Sequence, residues 1–429
     1  AARSVAAGVS GTRRDVARLV PWAWAVVATA TVAVGLALDA TGTQLGVPHP
    51  PFIGAYGPRA TAWVFAAIPC FVAAVALVPR ALKTRPAVFA AALFGGTLVL
   101  RVVLSAARKG TDGWDRPFVV AMRGEGKNEY LPSMAAFEYG PGFVVDRFAE
   151  LVPALPVHSA GHPPGLLLVM HYLSLDTATR LAWFCMVVGA LSAPLTYALG
   201  KRIFDDRAAR IAGVLAALSP AMLHYGATSA DAVFLTIGLL AAIPLLSNRP
   251  WIGAVALAIG SLFAWSLLAV GAWAAILVLV RDGLKPAVKL SLLIGATLIA
   301  FHAVFALATG FDPIGTIKAT ESVYRVGIAS RRPYAYWLFG SPTAFLLILG
   351  VPITWLALQR RSPEAVAIFA VLAIAAVLGF TKAETERIWL FLVPFVCLAA
   401  APLVQRPTFI AALLALQAVV YELLFDTLW

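Results

Sequence analysis

From Trp251 to Val280 the chain runs thirty residues without a charged side chain. As one helix, at about 1.5 Å per residue, it would reach about 45 Å, against about 30 Å for the hydrocarbon core of a bilayer. Gly260, Ser261 and Ser266 lie near its middle, so two short helices are expected there. Further apolar stretches fall near 20–38, 61–79, 86–104, 180–199, 208–222, 228–246, 286–309, 342–359, 365–380, 388–404 and 408–426. With 61% hydrophobic and 13% charged residues and a mean hydropathy of +0.86, the apolar excess needs lipid as its solvent. The expected fold class is an all-α polytopic membrane protein of about 13 transmembrane helices. Disorder, fibrous repeats and a disulfide scaffold are excluded; Cys70, Cys185 and Cys397 sit in apolar stretches with no paired spacing.

Charge orients the set. With the N-terminus in the cytoplasm, the cytoplasmic segments carry 18 of the 33 Lys and Arg and 5 of the 21 acids, a net +13. Everything else nets −1, as the positive-inside rule requires. The overall charge of +12 is therefore read as topology, not as a nucleic-acid surface. The division holds beyond Arg281 only if 251–280 crosses twice. Arg13, Arg14 and Arg18 precede the first span and no small-residue cleavage site follows it, so an anchor that stays is expected. The chain reads as one transmembrane domain: N-terminal spans over 1–104, a large outer loop over 105–179, central spans over 180–309, a second outer loop over 310–341 and C-terminal spans over 342–429. Loops of that length are usually functional or disordered, and their aromatics, prolines and mixed charges favour order. Within the first, 133–151 is expected as interfacial helix broken at Gly140-Pro141-Gly142, and 163–174 as a helix too short to span.

Five polar constellations fall on the expected outer face. The first is Lys127-Asn128-Glu129-Tyr130, downstream of Asp112, Asp115, Arg116, Arg123 and Glu125. A carboxylate at the membrane surface can take a proton from a hydroxyl nucleophile, although a solvated loop charge is the plain alternative. The second is His162-Pro163-Pro164-Gly165, a helix start whose Gly permits close approach and whose N-terminus favours phosphate. Third comes Thr381-Lys382-Ala383-Glu384-Thr385-Glu386-Arg387, where Arg387 either holds a lipid phosphate or snorkels beside its neighbouring acids. In the fourth, His224, Tyr225 and Asp231 flank a turn, and an acid opening an apolar span is a functional suspect or a helix N-terminal charge. The fifth gathers Asp312, Lys318, Glu321, Tyr324, Arg325, Arg331, Arg332, Tyr334, Tyr336 and Trp337, suited to sugar faces or to an interfacial belt. No Walker loop, dinucleotide fingerprint or Cys/His-rich metal motif occurs.

Asn128-Glu129-Tyr130, an amphipathic stretch and then His162-Pro163-Pro164 resemble the integral-membrane glycosyltransferases of the C superfamily (GT-C). Arg180-Leu181, Leu199-Gly200-Lys201-Arg202-Ile203-Phe204, Arg207-Ala208-Ala209, Leu218-Ser219-Pro220 and Ser229-Ala230-Asp231 are spaced as in the branch of protein mannosyltransferases and the aminoarabinose transferase. The likeness covers 125–250, and Glu386-Arg387 is similar to a late basic position. Two departures stand out. The family's acidic pair is Asn-Glu here, which weakens a role for a divalent cation, and Asp39 after the first span competes with Glu129.

The resemblance implies a polyprenyl-phosphate sugar donor and a glycan or glycolipid acceptor on the outer side of the plasma membrane, with no nucleic-acid partner. It implies Glu129 or Asp39 as catalytic base. His162 and Arg387, with one of Lys382, Arg331 or Arg332, would hold the donor phosphate. Asn128, Tyr130, His224, Tyr225, Asp231, Glu321, Tyr324, Glu384 and Glu386 would line the substrate. The Ala-, Val- and Arg-rich usage looks actinobacterial, so a mycobacterial arabinogalactan or lipoarabinomannan transferase is the analogy. A flippase of lipid-linked sugar and a non-catalytic envelope scaffold are the rivals; the flippase would need polar mid-depth residues and repeated halves.

Overall fold

The computed structural model describes residues 2–122 and 124–428, with side chains from Leu19 onward. The basic residues before the first span, and Arg123, lie outside the described side chains. Secondary structure is helical apart from two two-residue strands, Ala55–Tyr56 and Phe425–Asp426, which pair antiparallel. Eight helices among the described residues are long and apolar enough to cross a membrane: Leu19–Ala40, Val64–Ala81, Pro86–Phe118, Ala178–Ile203, Trp265–Asp282, Leu284–Thr309, Tyr334–Leu358 and Pro407–Leu424. Shorter apolar helices fill the bundle at Asp231–Leu245, Pro250–Gly260, Pro363–Leu378 and Leu390–Leu403. On Leu284–Thr309 only Ala287, Leu290 and Ile294 are buried, while Leu292, Ile299 and Leu307 are exposed. A helix apolar all round with an uncovered apolar face belongs in lipid. The chain is an all-helical, multi-pass membrane protein.

The apolar run 251–280 does break. Helix Pro250–Gly260 ends in a turn at 261–264, and a single turn over Trp265–Leu267 leads into Leu268–Asp282. Ser261 Oγ meets Ala258 O at 2.6 Å and His302 Nε2 at 2.8 Å, which satisfies the break inside the bundle. Its carbonyls have a second use: Gly165 N donates to Leu262 O at 2.8 Å, and a Cβ on Gly165 would lie 2.5 Å from that oxygen. The start of helix Gly165–Tyr172 is thus docked, backbone to backbone, on the unwound turn.

Three expectations are corrected. The stretch 310–341 is not a loop: Asp312 caps helix Pro313–Val326 by accepting from Gly315 N at 2.8 Å, and Tyr334 opens the long helix Tyr334–Leu358. Capping carboxylate and first-turn proline are the physical reason. The 133–151 stretch breaks at Gly140, with φ +89°, but its first part, Leu131–Tyr139, is a 3₁₀ helix. The stretch 388–404 is segmented into Leu390–Leu392, Val393–Ala400 and Ala401–Leu403, with Pro394 and Pro402 interrupting the hydrogen-bond ladder.

Candidate active site

Four segments meet around Arg387. It lies on the short helix Thr385–Ile388, reached through Ala383 and Glu384, whose φ values of +64° and +56° are left-handed. For residues with a Cβ this costs about 1–3 kcal/mol each, so the surroundings must hold it. They do. Arg332 Nη1 donates to Lys382 O at 2.7 Å, Lys382 N to Tyr324 Oη at 3.0 Å and Thr385 Oγ1 to Ser341 O at 2.6 Å.

The strained turn presents a buried ion network. Arg387 Nη1 lies 2.7 Å from Asp231 Oδ2 and Nη2 lies 3.0 Å from Glu384 Oε2. Glu384 also pairs with Arg332 through its other oxygen. Ser229 Oγ donates to Asp231 Oδ2 at 2.8 Å. Burial alone would raise Glu384, but Arg387 and Arg332 outweigh it and bring its carboxyl down to about 2. Burial would likewise lower Arg387, yet Asp231, Glu384 and Glu129 together hold it above the ordinary guanidinium value.

Glu129 reaches this network from the other side. It follows the short turn Glu125–Lys127 and is 1% exposed. His158 stands between two acids, its Nε2 3.1 Å from Glu125 Oε1 and 3.8 Å from Glu129 Oε1. Its own N–H donates to Asn128 O at 2.9 Å, and Asn128 Nδ2 donates to Glu125 Oε1 at 3.3 Å. Ser133 Oγ to Ser159 Oγ at 2.7 Å, and Thr320 Oγ1 to Ala160 O at 2.9 Å, fix the segment that carries the histidine. Burial opposes a charge on His158; Glu129 and the hydrogen bond to Glu125 overcome it and raise the imidazole above its ordinary value. Tyr130 is buried beside Glu129 and packs its ring on His162, which in turn meets Phe234 at 4.8 Å between centroids.

No protein-family model, curated protein or solved structure matches the chain.

Several expected site residues take other places. His162, a residue for the donor phosphate by resemblance, is packed between two rings, and burial pushes its imidazole down to about 4. Arg387 and Arg332 are already paired with carboxylates, whereas Arg331 is exposed. Lys382 is half-buried and its Nζ donates to the Ala329 carbonyl at 3.1 Å. Glu321 pairs with Arg325 on an exposed helix face, and Asp39 is exposed at the end of the first helix. His224 is held by Glu422 at 3.0 Å and Tyr225 Oη by Tyr421 Oη at 3.2 Å, one layer behind the Arg387 turn. Glu386 is fully buried in that same layer rather than facing a cleft. Among the described residues no group of three or more His, Cys, Asp or Glu could hold a metal ion. Asp231 and Glu384 are committed to Arg387, so these two carboxylates do not fit a divalent cation.

Sequence reasoning missed His158, Glu125 as its partner, and Arg101. His158 precedes His162 by one helical turn, a spacing that could have flagged it. Arg101 is fully buried in helix Pro86–Lys109, and its Nε donates to Met222 O at 3.0 Å. It supports the turn that ends in Asp231.

Proposed function

We propose that this chain is a membrane glycosyltransferase of GT-C type that moves a sugar, mannose or a pentose, from a polyprenyl phosphate to an extracytoplasmic cell-envelope glycan. The observation that carries the reading is Glu129, a buried carboxylate whose charge is balanced from one side by His158 and from the other by Arg387. A buried carboxylate set beside a histidine and an arginine is placed to take a proton from an acceptor hydroxyl, which is the task of a general base. The charge asymmetry supports an outward-facing site with the N-terminus in the cytoplasm, and about 13 crossings remain the topology that reconciles it with the 251–280 break.

In the proposed step the acceptor hydroxyl gives its proton to Glu129 while its oxygen attacks the anomeric carbon from the face opposite the phosphate. The bond between that carbon and the phosphate oxygen breaks, the electron pair leaves with the polyprenyl phosphate, and the anomeric configuration inverts. Lys382 would hold the leaving phosphate, since its Nζ meets the Ala329 carbonyl and no carboxylate among the described residues. Arg387 contributes field and rigidity, because its two terminal nitrogens are bound by acids.

Proteoliposomes holding the purified chain and a radiolabelled polyprenyl-phosphate sugar test the reading. Transfer to a glycan acceptor by the wild type, lost in Glu129→Gln, supports it. Movement of the labelled lipid across the bilayer with no transferred sugar would replace it with the flippase.

A further inference from the structure

Glu386 is the neighbour of Arg387 but takes no part in its ion pairs. Its side chain is fully buried. Oε1 accepts the Ile53 N–H at 2.7 Å, and Oε2 is buried with no hydrogen-bond partner among the described residues. The titratable and charged groups around it are Glu384 and Arg387 on its own turn, Tyr225 from the turn after helix Pro220–His224, and Tyr421 from the last helix. Of these only Arg387 is cationic, and that guanidinium already holds Asp231 and Glu384. A carboxylate charge in such a buried place is costly, and a carboxylic acid is far less so.

Ile53 belongs to a segment attached to the same site at two further points. Trp337 Nε1 donates to Leu45 O at 3.1 Å, and Arg332 Nη2 reaches Gly46 O at 3.5 Å. Beyond Ile53, a Cβ on Gly54 would touch Tyr421 Oη at 3.0 Å, so the segment lies flat against the last helix. The stretch 45–54 is thus a strap across the back of the Arg387 turn, and Glu386 is its tether at the far end.

We propose that Glu386 is a positioning residue, a protonated carboxyl that fastens the 45–54 strap to the turn carrying Glu384 and Arg387. Its catalytic consequence rests on the transferase reading; the tether itself does not. Burial, with Glu384 adding to it, raises the Glu386 carboxyl to about 7. The proton is therefore held below that pH and lost above it. Once ionised, the carboxylate is buried beside Glu384 with its second oxygen unmet by any donor among the described residues, and the strap is released.

The test is amide exchange in peptides spanning 43–58, on the full chain in lipid nanodiscs across the neutral range, with the intrinsic base acceleration divided out. In the wild type, opening should increase about tenfold between pH about 6 and about 8.5. Glu386→Gln, which keeps an accepting oxygen without the charge, should stay closed at both pH values, and Glu386→Ala should be open at both. A wild type whose opening does not change with pH, or a Gln variant as open as the Ala variant, overturns the proposal. Transfer assays on the same samples add the second readout: an alkaline loss of turnover in the wild type that Glu386→Gln abolishes. Should no sample, wild type included, transfer sugar while the exchange pattern holds, the transferase reading fails and the tether stands.

Discussion

Arg387 and Asp231 are 156 residues apart in sequence, and their side chains meet at 2.7 Å with both residues buried. Their pairing joins the head of an apolar helix, Asp231–Leu245, to the left-handed turn at 383–384. Glu384 takes the other arm of the guanidinium, and Arg332 takes the other oxygen of Glu384. Removing any one member leaves a partner charged and dry.

That sets the expectation for Arg387→Ala. Breaking a buried pair by deleting one partner costs about 3–5 kcal/mol, since the remaining charge is uncompensated. Here two acids, Asp231 and Glu384, lose a partner together. We expect a lowered thermal midpoint and loss of donor use in Arg387→Ala, and partial retention of both in Arg387→Lys, which keeps the charge but not the fork. Unchanged stability in detergent, measured by tryptophan fluorescence, would return Arg387 to the snorkelling class.

His158 supplies a pH signature. Its imidazole is raised above the ordinary value of 6.5, opposed by burial but driven by Glu129 and by the hydrogen bond to Glu125. For a raised base the stabilisation is fully present below 6.5 and is lost as pH climbs through the folded-state value. Stability of the wild type should therefore decline on the alkaline side of neutrality, and His158→Gln should flatten that part of the profile. Thermal midpoints collected across that range for the two proteins decide it. The alkaline decline from Glu386 overlaps this window, so the double variant His158→Gln/Glu386→Gln is the baseline.

Much of this was legible in the sequence, and what was not has identifiable causes. The break at 261–264 followed from length against bilayer thickness, and Gly165 was readable as a place of close approach before Leu262 was known to be what approaches. The helix at Pro313–Val326 could have been read from Asp312 and Pro313, a cap and a first-turn proline, but the density of charges around it looked like loop. Pairing of Arg387 with a neighbouring acid is one of its two sequence readings, and Glu384 supplies it. Its second partner Asp231, 156 residues away, and the partner of Arg332, 52 residues away, were out of reach, because nothing local in sequence points to them. His158 was hidden for the opposite reason: it sits among prolines and small residues with no acid nearby, its acids lying 33 and 29 positions upstream.

The orientation can be checked with single cysteines at positions the structure leaves exposed. Met122 and Lys318 should label with an impermeant maleimide from outside intact cells, and Asp205 and Arg360 only after permeabilisation. The +13 to −1 division of charge sets this orientation. Position 383 is unsuitable, since Ala383 is fully buried. Labelling of Lys318 from the inside would mean that 251–280 crosses once, and the proposed extracytoplasmic donor site would be lost with it.

The decisive variant is Glu129→Gln. The residue is 1% exposed, and its charge raises both His158 and Arg387, so amidation removes a base without removing volume. General-base assistance contributes about 10²–10⁴ in rate, and turnover should fall by that order while donor binding persists. Asp39→Asn should leave turnover within about twofold, because an exposed acid at the end of the first helix is outside the network. Asp231→Asn should behave differently from both. It strips Arg387 of one partner, so it should lower stability as well as rate, and the two losses should scale together. A rate loss well beyond the stability loss in Glu129→Gln, matched losses in Asp231→Asn and neither in Asp39→Asn is the pattern expected of a base, a scaffold acid and a bystander. A wild-type rate in Glu129→Gln with a dead Asp39→Asn would move the base to the end of the first helix and require a different alignment of the whole site.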